Sequence, residues 1–334
     1  MSEANRQPIQ HRYDFVLFFD VTDANPNGDP DAGNLPRIDP ETGQGLVTDV
    51  CLKRKVRNYV ALKHEGQPPY EIYVKERAIL NQQHERAWQA FNPKAKDKEK
   101  KNLPREQEDA LKLTGFMCQN FFDIRAFGAV MTTDVNCGQV RGPVQLGMAR
   151  SLHPILSQDL SVTRCAVTTE REANNQEGGN RTMGRKFTVP YALYRVHGYI
   201  NPHLAGGNGS AARGTGFCED DLELLKEAIN RLFEFDASAA RPPGSMKPVA
   251  CVAFKHANKL GNARADELFR RVSCTPRSGV QPLPSQRDDA GNPVQAKPDD
   301  RPPRSVDDYQ IDLPTPGPLK DLSDVTVEHW LAWG

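Results

Sequence analysis

Long apolar runs are missing from this 334-residue chain. No stretch reaches the roughly 18 apolar residues of a membrane-spanning helix. The opening MSEANRQPIQHR has no apolar segment of the kind a secretory leader carries. Paired cysteine spacing is missing too. The seven cysteines (Cys51, Cys118, Cys137, Cys165, Cys218, Cys251, Cys274) are odd in number, and no two stand two residues apart. This argues against a disulfide framework and a common zinc site and fits a reducing, cytoplasmic setting, with each cysteine a small buried hydrophobe. No GxGxxG follows a strand, and GxxxxGK[ST], HExxH, GxSxG and an EF-hand loop are all lacking, which removes the usual nucleotide, zinc-protease, hydrolase and calcium readings. The segment RKFTVPY lacks the glycines and aromatic pair of the standard RNA-recognition signature. Net charge is absent as well: 43 basic residues face 43 acidic ones.

That neutrality hides an uneven distribution. Residues 135–215 hold nine Lys/Arg against four acidic residues, whereas residues 280–334 hold five against ten. A basic middle and an acidic end can serve a polyanion and a basic neighbour respectively, or simply be solvated. Hydrophobic residues make up 38%, enough for a core. YDFVLFFDV (13–21) reads as a buried strand. A long Gly/Pro/Asn/Asp loop, TDANPNGDPDAGNLPRIDPETGQGLV, follows. Thr48 or Asp49 caps a helix whose Leu52, Val56, Tyr59 and Val60 share a face, with Lys53, Arg54 and Arg57 on one flank and Lys55 on the other. Helical spacing recurs over 76–91 (Leu80, His84, Ala87, Trp88, Phe91), where His84 reads as a packed histidine. It recurs from Pro104 to about Asn120 (Leu111, Thr114, Cys118, Phe121) and over 219–235.

Residues 126–135 and 138–146 read as irregular strands, 160–168 and 186–200 as strands of an extended hairpin, and 249–255 as a buried strand. After Thr275 the chain is Pro- and Asp-rich and is expected to have little regular structure, with Trp330 and Trp333 as docking anchors near its end. The order predicts an α+β fold, a sheet covered on one face by helices.

Binding chemistry survives these exclusions. A Gly/Asn loop at a helix N-terminus offers backbone N–H groups to an anion, with Lys53, Arg54 and Arg57 beside it. In RTMGRK, cations flank the apolar Met183, a pattern that can hold phosphates around a wedge. Taken singly, each of these is more often a solvated basic face. Asp20, Asp23, Asp29, Asp31 and Asp39 cluster around the first loop. They could hold Mg²⁺ for phosphoryl chemistry, though turn and cap duty is the commoner role of such residues.

Four stretches carry a resemblance: FDVTDANPNGDPDAGNLPRIDPETGQGLVTDVCLKRKVRNYV, FFDIRAFGAVMTTDVNCGQVRGPVQLGMARSLHPI, NRTMGRKFTVPYALYRVHGYI and FKHANKLGNARADELF. Together they resemble the Cas-seven family of type I-C CRISPR surveillance (Cascade) backbone subunits, over roughly residues 12–272. The resemblance implies a hand-shaped protein. Residues 1–275 would form one RNA-binding domain with a modified RRM (ferredoxin-like) palm. Helical fingers would lie at about 70–125 and an extended β-hairpin thumb at about 164–186. The resemblance does not reach residues 276–334, a Pro/Asp-rich tail read as docking on the body or on a neighbour.

It also implies a non-catalytic subunit, without cofactor or metal, that polymerises along guide crRNA and presents it to target DNA. Its partners would be further copies of itself, the large, small and crRNA-processing (Cas-five) subunits, and later a recruited helicase-nuclease. Carried onto this chain, the RNA-binding residues would be Asn25, Asn27, Lys53, Arg54, Arg57, Gln139, Arg141, Gln145, Arg164, Arg181, Met183, Arg185 and Lys186, with Lys255 and His256 as further candidates. The alternative is a Mg-dependent endoribonuclease of the same fold, using Asp residues of the first loop. On this reading, reversing Lys53, Arg54 and Arg57 to Glu removes guide RNA while the fold stays intact.

Overall fold

The computed structural model describes residues 7–175, 182–206 and 214–331. In chain order, β1 (Tyr13–Ala24) runs into the first loop. There β2 (Gly28–Asp29) and β3 (Leu35–Pro36) pair with each other, and β4 (Gln44–Val47) leads into α1 (Asp49–Lys63). A helical lobe follows: α2 (Leu80–Phe91), α3 (Asp97–Lys100), α4 (Gln107–Asn120) and α5 (Phe122–Phe127). It is closed by the ribbon β5 (Gly128–Thr132) and β6 (Asn136–Arg141). Next come β7 (Val144–Leu146), β8 (Ala149–Pro154), β9 (Gln158–Arg164), α6 (Glu170–Asn175) and β10 (Thr182–Ile200). The rest is α7 (Pro202–Gly206), α8 (Glu219–Asn230), β11 (Met246–His256), α9 (Ala265–Phe269), β12 (Ser273–Pro276), β13 (Tyr309–Asp312), β14 (Gly317–Pro318) and β15 (Val325–Leu331).

The main sheet has the order β14-β15-β11-β1-β10-β8-β4, with every pairing antiparallel. Its centre is β1, and the unbroken apolar run explains why. Phe15, Leu17, Phe19 and Val21 enter one core cluster, whereas Val16 and Phe18 enter the other. A strand buried on both faces has no place for polar alternation. At Gly198, a Cβ would lie 2.0 Å from Phe15 Cζ, so this close approach of β10 to the Phe15 ring admits only glycine.

On the first face lie α1 and α8. Thr48 caps α1, its Oγ1 accepting from Cys51 N at 3.3 Å, and Leu52, Val56, Tyr59 and Val60 are buried as their spacing requires. The helical lobe has its own core of Tyr73, Ala87, Trp88, Leu113, Met117 and Phe121. Helix α4 begins at Gln107 rather than Pro104 and buries Leu113, Met117 and Cys118. It packs on both α2 and β6, so its buried stripe is rotated from the expected Leu111–Thr114 line. His84 is fully buried between Val135 O and Tyr73 Oη.

The second face corrects two expectations. It is not open, and what covers it is the segment expected to lack structure. Strand β13 pairs with β12, and β15 pairs with β11 inside the main sheet. Tyr309, Ile311 and Leu319 pack with α9 on Phe18, Val252 and Phe254. His153 joins β8 to this layer through Tyr309 Oη and Gln281 O, both at 2.8 Å. On the first face, Trp330 packs at 4.9 Å from Phe15 and 5.9 Å from Tyr13; Trp333 lies outside the described residues. The stretch after Thr275 therefore docks on its own body. Its many prolines lower β content but leave enough alternating apolar residues to form a layer.

A buried ion pair joins the helical lobe to α8. Arg125 donates to both carboxylate oxygens of Asp221 at 2.7 and 2.8 Å, with 3% and 0% side-chain exposure. Arg125 also donates to Pro69 O and Cys118 O. Asp221→Ala strands a buried guanidinium and is expected to cost about 3–5 kcal/mol in urea unfolding. Truncation after Thr275 is expected to abolish cooperative unfolding in the same assay, because it removes β13 and β15.

Candidate nucleic-acid interface

The projecting hairpin and the first loop come together. Strand β9 pairs with only the first part of β10, from Arg164↔Thr182 to Gln158↔Thr188, and every residue of β9 is exposed. From Val189 onward β10 is a central strand of the sheet, paired to β1. One continuous strand therefore carries both the ribbon and the core. Directly opposed residues share a face of a two-stranded ribbon. Leu160, Val162, Gly184 and Lys186 thus form one face, and Asp159, Ser161, Thr163, Met183, Arg185 and Phe187 the other. Met183 is 73% exposed near the tip. Arg185 is also exposed, with Asp159 at 3.2 Å. Arg164 holds the turn side through Ala166 O and Thr168 Oγ1. Arg181 lies outside the described residues.

At the hairpin root a cleft of about 920 Å³ opens toward the first loop. It is lined by Asn25, Gly28 and residues 32–35 of the loop, by Asp159, Val162, Arg185, Lys186 and Phe187 of the ribbon, and by residues 239–241. The structure thus gathers Asn25, Arg185 and Lys186.

Asn27 has another duty. Its Oδ1 accepts from Thr48 N and Thr48 Oγ1, both at 3.0 Å, tying the loop to the start of α1. The helix N-terminus that the sequence offered to an anion is therefore already capped from within.

The basic flank of α1 is also spoken for. Arg57 Nε donates to Asp123 at 2.8 Å, and that carboxylate accepts from Tyr73 N and Val74 N as well. Lys53 is buried, bonded to Asp49 at 2.9 Å and Gln145 at 3.4 Å. Arg54, the fully buried Lys55 and Arg241 all converge on Asp236. Burial of Asp236 works to raise its pKa, but hydrogen bonds from Arg54 and Lys55 outweigh this and hold it down at about 2. Reversing Lys53, Arg54 and Arg57 would accordingly break internal ion pairs, contrary to the expectation that the fold survives it. Sequence spacing placed these cations correctly on one flank but could not show Asp123 and Asp236, which reach them from 66 and 182 residues away.

A second hollow, about 520 Å³, gathers Arg141 and Gln145 with Phe127, Val130, Val140 and Leu204. Arg141 is exposed and makes no ion pair among the described residues. Gln139 is exposed on β6. Lys255 sits half-buried over the Tyr13 ring. His256 is fully buried: its Nε2 bonds Asp14 at 2.8 Å and its Nδ1 accepts from Asn262 N at 2.8 Å. Buried this way, it is no surface contact for a nucleic acid, and the candidate role is withdrawn.

Three of the carboxylates around the first loop, Asp20, Asp29 and Asp39, serve their own chain. Asp29 caps Asp31 N and faces Arg37. Asp39 binds Arg150. Burial pushes the Asp20 carboxyl up to about 6 against the pull of Lys247. Among the described residues, no three His, Cys, Asp or Glu side chains converge as a metal would need.

A family model described as CRISPR-associated protein Cas7 matches residues 11–314. The chain belongs to the Cas7 family. A CRISPR-associated protein Cas7 of Haloferax volcanii is 27% identical over 237 residues, which is 64% of this chain and 62% of that protein. The chain therefore spans less than two thirds of that relative's length. Two solved chains are each 14% identical and cover 73% of this Cas7 chain. One, described as a CRISPR RNA-guided surveillance complex, pre-nicking, is covered over 78% of its length with a TM-score of 0.44. The other, a CRISPR RNA-guided surveillance complex, is covered over 68% with a TM-score of 0.39. TM-scores this low carry no residue role across. No helix among the described residues is long and apolar enough to cross a membrane.

Because Asp236 carries a depressed pKa, its contribution to stability is complete above its ordinary value of 3.8 and is lost as pH falls toward about 2. Asp236→Asn is expected to flatten that part of an acid-unfolding curve and to destabilise the protein at pH 7, where it leaves Lys55 buried without its counter-charge.

Proposed function

We propose that this Cas7 protein is the non-catalytic guide-RNA-binding backbone subunit of a type I-C CRISPR surveillance complex. Copies polymerise along crRNA and present its bases to target DNA. The large, small and crRNA-processing subunits complete the assembly, and a helicase-nuclease joins later. The observation that carries this reading is the exposed β9–β10 ribbon facing the first loop across the cleft, with Arg185, Lys186 and Met183 on it. A ribbon with two solvated faces gains little from its own fold and has a surface to offer a partner. Cations around an apolar tip suit a strand that is gripped by phosphate and spacing rather than by base identity.

The palm is ferredoxin-like in this proposal. In support, β1-α1-β8-β10-α8-β11 lies in the order β11-β1-β10-β8, with α1 and α8 on one face. The helical lobe serves as fingers and the β9–β10 ribbon as thumb. With the second sheet face covered, RNA is held along the ribbon and loop rather than across an open sheet. A carboxylate-metal ribonuclease draws no support from Asp29 and Asp39, which are committed to a cap and to ion pairs.

The cations to change are those outside the buried ion pairs, Arg185 having only the exposed Asp159 beside it. The triple variant Arg141→Glu, Arg185→Glu, Lys186→Glu is expected to fold as the parent does by thermal melt. It should purify without RNA, read as a lowered 260/280 nm absorbance ratio and a smaller particle. Each phosphate neutralised by one cation fewer should flatten the plot of log affinity against log salt by about 0.7. Unchanged RNA retention would refute the reading. RNA cleavage that requires Mg²⁺ and vanishes in Asp29→Ala would replace it with the nuclease.

A further inference from the structure

We infer that an acidic groove along α8 receives the basic segment around α3 (residues 92–105) of a second copy of this chain, so that the helical lobe of one copy docks on the body of the next. This rests on the reading above that copies line up along one RNA, and it adds which surfaces meet between them.

The groove, about 660 Å³, lies where α8, the end of α1 and β15 come together. Four carboxylates line it, Asp220, Glu223, Glu227 and Glu328, against two lysines. Lys226 is shared between Glu223 at 2.8 Å and Glu328 at 3.4 Å, and Lys63 is bound to Glu227. Asp220 and its neighbour Glu219 are exposed and make no ion pair among the described residues. Carboxylates thus outnumber lysines in a concave site, where their field is focused. That field reaches the protein itself: after burial, Glu328, Glu219 and Glu223 push the Tyr13 hydroxyl pKa up. Trp330 and Tyr70 in the lining suit the methylene stem of a lysine. Lys226 already places its ammonium 5.4 Å from the Trp330 ring.

The same chain carries the complementary surface. Residues 92–105 hold six Lys/Arg against two acidic residues. Lys100 is held by Glu85 at 2.6 Å and Asp97 at 3.5 Å. Lys94, Lys96, Lys98, Lys101 and Arg105 are exposed and make no ion pair among the described residues. The acids that follow, Glu108 and Asp109, are engaged by Lys112. The segment belongs to the helical lobe, which has its own core, and the groove to the helices on the main sheet. Because the two surfaces differ, the contact is heterologous: each copy gives one segment and receives one, and the contact can repeat along an RNA. A neutral chain with opposite charges gathered on separate lobes attracts copies of itself. A nucleic acid suits the segment less well, since Asp97 and Glu99 interrupt its lysines and residues 92–105 contain no aromatic ring to stack a base. Exposed ion pairs are individually weak, so the contact sets the spacing of copies already held on one RNA rather than assembling them alone.

The test uses full-length protein loaded on an RNA long enough for several copies. A carbodiimide, which joins a lysine amine to a carboxylate only where the two touch, is applied to particles built from isotope-labelled and unlabelled protein. Crosslinks between a labelled and an unlabelled chain are expected to join Lys94, Lys98 or Lys101 to Asp220 or Glu223. Two variants reverse the surfaces: Lys94→Glu, Lys98→Glu, Lys101→Glu in the segment, and Asp220→Lys, Glu223→Lys in the groove. Each is expected to bind a short, one-copy RNA as the parent does and to lower the affinity of further copies on the long RNA about tenfold. An equal mixture of the two variants restores loading, because the reversed segment of one faces the reversed groove of the other; a misfolded variant would gain nothing from mixing. Absence of these inter-chain crosslinks, parent-like loading of either variant, or no rescue in the mixture overturns the contact and leaves the RNA reading standing. Loss of short-RNA binding by the segment variant also overturns it, because the segment is then a nucleic-acid surface. If the parent retains no RNA, the RNA reading falls and the contact with it.

Discussion

The antiparallel pairing of β1 with β10 is the constraint on which the rest depends. It runs from Tyr13↔Ile200 to Ala24↔Val189 and sets the buried strand at the centre of the sheet. It also fixes where β10 leaves the sheet. On the N-terminal side of Val189 the strand no longer has β1 as a neighbour and pairs only with β9. The ribbon therefore begins where β1 gives way to the first loop, and the cleft between them is a direct product of that register. A slip of β10 by one residue would turn Tyr194 and Val196 out of their core and rotate Arg185 and Lys186 to the opposite faces of the ribbon.

The charge arrangement follows a similar logic. Helix α1 carries its cations for internal use: Asp236 gathers Arg54, Lys55 and Arg241, and Asp123 takes Arg57. Arg241 in turn holds the Asn25 backbone. One carboxylate thus connects the helix flank to the loop residue that lines the cleft. Cations left on the ribbon and on β6 are those placed away from these carboxylates. A neutral chain can in this way present positive charge locally without a basic surplus overall.

Much of this was legible in the sequence. The aromatic and β-branched run at 13–21, the Thr48 cap and the 3.6-residue spacing of α1, α2 and α8 are local signals, and local structure followed them. The long hairpin was legible because two strand-like stretches flank a polar connection. What stayed hidden depends on pairings between distant residues. Asp123, Asp221 and Asp236 look like ordinary surface acids until their partners, far away in sequence, are seen. Proline content after Thr275 suggested an unstructured tail, yet Tyr309, Ile311, Val325 and Val327 form a layer because they meet a ready apolar face. At the candidate site, Arg185 and Lys186, chosen on chemistry, lie together with Asn25, which the resemblance supplied. Arg241, Val162 and Phe187 were missed because nothing in their own neighbourhood marks them. Asn27 and His256 carried the right chemistry but turned out to be internal fasteners.

The covered second face also bears on how the molecule comes to exist. Asp14 meets His256 across 242 residues, and β11 in turn needs β15 at its other edge. Such a topology has a high contact order and folds slowly. The central strand is synthesised early, as one of the most apolar segments of the chain, and stays without its flanking strands until most of the chain has been made. During translation, Phe15, Phe18 and Phe19 are therefore a natural binding stretch for a chaperone. The first loop is likewise completed late, because Asn25 is held by Ala240 and Arg241, far along the chain.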